Sequence, residues 1–177
     1  MVVELRVRLT VTENEVENLK KENAAQEAEL TAVNTRGKMR KKSKVAFSAG
    51  LTDLGYVKAG SDDLNLLFSR IITNVGQAYN STTGFFTAPV RGVYYFRFTV
   101  RDHLASHWMN IRMFKNGQGI MWLDDYETDD YNTYLSSGLT VELEVGDVVN
   151  MVLPAGCRII DNSNNFSTFS GFLLFPL

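Results

Sequence analysis

The chain has 177 residues, 45% of them hydrophobic, and a formal net charge of −2; this suits one ordinary globular domain with an accessory segment and argues against disorder. The near-neutral balance exerts no global pull toward nucleic acid or acidic membranes. No apolar run approaches the ~20 residues of a transmembrane helix, so no membrane span is expected.

At the N-terminus, Glu4 and Arg6 interrupt what would have to be the apolar core of a signal peptide. From Val2 to Val33, residues recur at alternating spacings of three and four. Val2, Leu9, Val16, Asn23 and Leu30 take the a positions of a heptad, and Leu5, Thr12, Leu19, Gln26 and Val33 the d positions. Asn14 to Lys21 is rich in helix formers. Residues 1–35 are therefore predicted to form a short α-helical coiled-coil stalk. Thr12, Asn23 and Gln26 place polar layers in its seam, which weaken it while restricting register and strand number. Val3, Leu5, Val7, Leu9 and Val11 also fit the period of a strand, so the first turns are open between helix and strand.

Residues 36–44 carry six cations in nine positions and read as a basic linker, with Gly37 ending the helix. The segment suits a solvated hinge; sulfated polysaccharide binding or cleavage at dibasic pairs are the other readings. From Val45 onward short strands alternate with turns and no long helical period appears, the pattern of a β-sandwich. Val45–Ala49 is a first strand, and 50–66 a polar connection. Segments 67–72 and 85–90 flank the turn at Asn80–Gly84. Met109–Met113 alternates toward Asn116-Gly117, a strong hairpin signal. Leu139, Val141, Leu143 and Val145 point one way and Thr140, Glu142 and Glu144 the other, before Gly146-Asp147 turns the chain into Val148–Leu153.

Two strands carry more grease than one sandwich covers. In Gly92–Arg101, Tyr94, Phe96, Phe98 and Val100 form a wholly apolar face, yet Val93 and Tyr95 on the opposite face are also too apolar for open water. In Phe169–Leu177 both alternating sets are apolar, with Phe172 and Leu174 on one side and Leu173, Phe175 and Leu177 on the other. One face meets the core; the other is expected to meet a second copy of the chain. Phe47, Val93, Tyr95, Leu173 and Phe175 are the predicted interface residues.

Phe68, Asn74, Tyr79, Phe86, Gly92, Tyr94, Phe96 and Phe98 stand at spacings that resemble the signature of the complement C1q globular-head family. The resemblance runs from about Lys44 to Leu177 and takes in Val45–Ala49, Phe114–Gly117, Leu143–Asp147 and Phe169–Leu174. It implies an all-β jelly-roll sandwich over residues 45–177 that assembles as a homotrimer, related to the tumour-necrosis-factor cytokines. Members bind other molecules, are not enzymes and are mostly secreted. An extracellular protein whose signal peptide has been trimmed is therefore expected.

Candidate sites are few. Asp124, Asp125, Glu127, Asp129 and Asp130 crowd carboxylates into seven residues, which repel unless solvated or bridged by a cation. Hard oxygen ligands suit calcium, and in some family members aspartates near the trimer axis bind it. Asp124, Asp125, Asp129 and Asp130 are the candidate ligands, beside the readings of a solvated acidic loop or a contact for a basic partner. The position matching the family's calcium aspartate is Tyr134 here. Tyr126, Tyr131 and Tyr134 suit either a recognition surface or packing at the trimer apex. His103 and His107 lie four apart with no third ligand in view and read as a surface loop. Asn80 and Asn165 open Asn-x-Ser/Thr sequons for glycosylation. Cys157, the only cysteine, excludes an internal disulfide and reads as a small buried hydrophobe.

No nucleophile–base arrangement or phosphate cradle appears, so the chain reads as a non-catalytic recognition protein. The resemblance implies multivalent innate-immune pattern recognition, with microbial or host glycans or lipids as ligands. The alternatives are an extracellular signalling ligand for a receptor ectodomain, cerebellin- or adipokine-like, or a structural trimerisation module. There is no Gly-X-Y repeat, so a collagen stalk is absent from this chain.

Overall fold

The computed structural model describes residues 2–42, 44–103, 107–127 and 132–177. It divides near Lys41 into two compact units, a helix and a β-sandwich.

Helix α1 spans Val2–Lys42. Its first turns are helical, so the strand-like alternation there does not prevail. The Glu4–Arg8 pair bridges i to i+4 at 3.4 Å, a helix-specific spacing. Thr10, Thr12, Thr31 and Thr35 return their hydroxyls to the carbonyl four residues earlier. Gly37 does not end the helix, against expectation. One glycine costs about 1 kcal/mol relative to alanine, which a run of lysine and arginine neighbours tolerates. The basic segment is thus helical as far as Lys42. Within one chain the heptad residues Leu5, Leu9, Leu19, Leu30 and Val33 are all exposed, so α1 has no core of its own.

The head contains β1 (Ala46–Gly50), β2 (Gly55–Lys58), β3 (Leu64–Asn65), β4 (Arg70–Val75), β5 (Tyr79–Asn80), β6 (Phe85–Thr87), β7 (Gly92–Asp102), β8 (His107–Lys115), β9 (Gln118–Glu127), β10 (Thr133–Leu143), β11 (Val148–Leu153), β12 (Arg158–Asp161) and β13 (Thr168–Pro176). A seven-stranded sheet runs β2-β12-β7-β13-β1-β4, with β10 also on β7; a six-stranded sheet runs β5-β6-β11-β8-β9, with β3 also on β11. The pairings are antiparallel. The β8–β9 hairpin turns at Asn116 and Gly117, whose φ values are +51° and +77°, the left-handed pair that this sequence signals.

Between the sheets lies an aromatic core. Phe47 stacks on Tyr79 at 4.6 Å and meets the edge of Phe169 at 5.0 Å; Phe86 meets Phe96 edge-on at 5.1 Å. Tyr94, Phe96, Phe98 and Val100 of β7 are buried as their alternation requires. Val145, expected inward, is exposed because β10 stops at Leu143 and leaves it in the turn. A buried carboxylate ties the loops at one end. Asp161 accepts from the backbone N–H groups of Leu51, Thr52, Asn162 and Ser167 at 2.8–3.2 Å, which compensates its burial.

Candidate functional site

The outer face of the seven-stranded sheet carries the surplus apolar surface. Register places Val75, Ala46, Phe172 and Tyr95 in one row across β4, β1, β13 and β7. Tyr95 and Phe172 contact at 5.6 Å. A register shift between Leu173 and Phe175 brings Phe175 opposite Val93. Phe172, Leu174, Phe175 and Leu177 are 42–58% exposed. A contiguous apolar patch of this kind marks an interaction surface.

Two expected interface residues do not belong to it. Phe47 is 3% exposed and lies in the core. Leu173 pairs with Tyr94 and packs against the core as well. Phe172 and Leu174 take the outward places instead. The shift in β13 is the physical reason: strict alternation through Phe175 assigns the wrong parity to its neighbours. Val93, Tyr95 and Phe175 do lie on the outer face.

The acidic segment is strand rather than loop as far as Glu127. Asp124 and Asp125 are consecutive strand residues, paired with Asn110 and Met109, so their carboxylates leave opposite faces. Asp129, Asp130 and Tyr131 lie outside the described residues. Among the described residues no group of three or more acidic, histidine or cysteine side chains gathers where a metal ion would sit. Asp124 and Asp125 alone therefore do not make a shared pair of ligands.

At the end of the sandwich where β7 finishes, Arg101 lies over Phe166 at 4.0 Å and Tyr134 at 5.8 Å, and donates to Asn132. Beside it Arg158 bridges buried Asp102 at 3.1 Å and lies over Tyr56 at 4.4 Å. His103 Nε2 is 2.7 Å from the Tyr56 hydroxyl. His107 begins β8, and no metal set forms around His103 among the described residues.

Asn80 is exposed at a turn, its Oδ1 accepting from the N–H groups of Thr82 and Thr83. Asn165 is partly buried, with φ +56° and its Oδ1 bound by Arg70 at 3.0 Å. Cys157 is buried, and burial pushes its thiol up. Burial likewise pushes the Tyr79 phenol up to about 12.

The β8–β9 ribbon displays side chains that strand alternation alone could have found. Trp122, Asp124 and Tyr126 alternate with Met121, Leu123 and Asp125 just after the Asn-Gly turn. That alternation marks a strand with one solvent face.

Comparisons with known proteins agree with this architecture. The family model of the C1q domain matches residues 46–174. Complement C1q tumor necrosis factor-related protein 3 of Mus musculus is 32% identical over 132 residues, 75% of this chain and 52% of that protein. Complement C1q and tumor necrosis factor-related protein 9A of Homo sapiens is 32% identical over 136 residues, 75% of this chain and 39% of that protein. The chain thus spans about half or less of these relatives' length. Among solved structures, the globular domain of zebrafish complement 1qA superposes with TM-score 0.60 at 21% identity, covering 76% of this chain and all of that one. Murine APRIL superposes with TM-score 0.60 at 14% identity over 74% of this chain and 99% of that one. The aromatic signature, the two-sheet architecture and the family match converge, and the chain belongs to the C1q domain family, whose members are recognition or signalling proteins and not enzymes.

Proposed function

We propose that this protein is an extracellular recognition molecule that works as a homotrimer, its heads sharing the outer face of the seven-stranded sheet and its helices forming a three-stranded coiled coil. The observation that carries this reading is the patch of Phe172, Leu174, Phe175 and Leu177, left open in a single head. The exposed heptad residues of α1 support association of the helices as well. Three linked heads gain avidity on a repetitive or oligomeric target.

As the ligand we favour a receptor ectodomain, in a signalling role. The names of the C1q and tumor necrosis factor-related relatives support it, and so do the exposed tryptophans of the head, a residue type enriched at protein interfaces. Innate-immune pattern recognition uses the same multivalent architecture and is the competing outcome of one experiment. The intact protein is screened on a combined array of host ectodomains and microbial glycans. Binding to one ectodomain and no glycan supports the signalling reading; binding to glycans alone overturns it in favour of pattern recognition.

A further inference from the structure

Both tryptophans of the chain, Trp108 and Trp122, stand on one face of the β8–β9 ribbon. Met109, Ile111 and Met113 point into the core, which turns Trp108, Asn110 and Arg112 outward. On β9 the outward residues are Trp122, Asp124 and Tyr126. Register sets Trp108 opposite Tyr126, Asn110 opposite Asp124, and Arg112 opposite Trp122. The indoles are 56% and 58% exposed, and Tyr126 is 45% exposed. A single exposed aromatic needs no explanation; three on one ribbon do.

The platform is held in place. The Trp108 and Tyr126 rings contact at 5.1 Å. Trp122 lies across Gly119, where an added Cβ would sit 2.4 Å from its ring. The glycine lets the indole pack one face on the backbone while the rest of the ring stays in solvent. The charge on this face is also biased. Arg112 is engaged by Asp63 at 3.1 Å, whereas Asp124, between two aromatic residues along β9, has no ion pair among the described residues. Open aromatic faces beside an uncompensated carboxylate match a cation on a flexible stem.

We infer that the outer face of the β8–β9 ribbon binds a protein segment bearing arginine or lysine, the cationic group lying on Trp122 and donating to Asp124. This deepens the proposed recognition role and rests on it only in taking the head to bind another protein.

Tryptophan fluorescence tests the inference, since both indoles of the chain report from this face alone. The intact protein is titrated with a Gly-Arg-Gly-Arg-Gly peptide and with its citrulline counterpart, which keeps the shape and lacks the charge. The arginine peptide is expected to give a saturable change and the citrulline peptide a binding constant roughly two- to fivefold weaker, the scale of one exposed charge contact. Asp124→Asn should weaken the arginine peptide by a similar factor, and Trp122→Ala, followed by calorimetry because it removes one of the two reporters, should weaken it as well. Equal responses to the two peptides, or none that saturates, overturn the inference. So does acrylamide that quenches neither indole in the intact assembly and both after dissociation, which makes this face a contact between copies. Particle mass and array binding are separate readouts, so failure here leaves the multivalent reading to its own test.

Discussion

Replacing Phe175 with glutamate probes the apolar face that we propose the subunits share, at its most exposed phenylalanine. Phe175 is 51% exposed in the single head. A phenylalanine side chain buries roughly 150–250 Å² when fully covered, so about 100 Å² remains for a neighbour to cover. At ~25 cal/mol per Å² this contributes about 2.5 kcal/mol per subunit, or about 7 kcal/mol for three copies. Each 1.4 kcal/mol is tenfold, so Phe175→Glu should weaken assembly by about five orders of magnitude, before the cost of covering a carboxylate is added. Sedimentation velocity at micromolar concentration is the assay, with far-ultraviolet circular dichroism to show that the head still folds. Leu54→Glu, at a bend where the side chain is 93% exposed, should sediment as wild type. Phe175→Glu sedimenting as an intact trimer of wild-type stability would refute the reasoning.

Other expectations bear on the head itself. Phe169→Ala removes a fully buried ring that touches Phe47, Phe68 and Phe96 and should cost about 3–5 kcal/mol in urea unfolding. Asp161→Ala strands the four amides this carboxylate receives and should cost about 3 kcal/mol or more by the same measurement. Asp147 is held down at about 2 by the Asn116 side-chain amide, the Glu144 N–H and Lys115. A depressed carboxylate contributes stability above its unfolded pKa of ~3.9 and loses it as pH falls through the folded value. Asp147→Asn should therefore flatten the stability profile between about pH 4 and pH 2, and an unchanged slope would contradict this. Calcium titration should give the same heat for wild type and for Asp124→Asn/Asp125→Asn, whose carboxylates leave opposite faces of β9; heat lost in the double variant would contradict this.

Much of the head was legible because its strands obey simple rules. The alternation of Tyr94, Phe96, Phe98 and Val100 places β7 in the core without help from any relative, and Asn116-Gly117 locates a hairpin because both residues accept positive φ. Where local rules were broken, reading failed for identifiable reasons. The shift between Leu173 and Phe175 resets parity within β13, so Leu173 went outward on paper and inward in the fold. Phe47 belongs to β1; Val45, Phe47 and Ala49 alternate with Ala46 and Ser48 and form the buried set, so its inward place was readable from the period of the strand. The carboxylates at Asp124 and Asp125 suggested a loop through their charge, although alternation with Trp122 and Tyr126 already spelled a strand. Asp161 was missed altogether, because four donors from three separate stretches of chain converge on it only after folding. Gly37 misled in the other direction, since a glycine signals a helix end only when the residues beyond it do not favour helix.

The account depends most on a shared apolar face, and the mass of the intact protein in dilute solution tests this most directly. One chain weighs 19.9 kDa. Light scattering of a column-resolved peak should give a particle of three chains that persists at micromolar concentration. A monodisperse particle of one chain would contradict the account, because Phe172 and Phe175 of β13 would then stand in water with nothing to cover them.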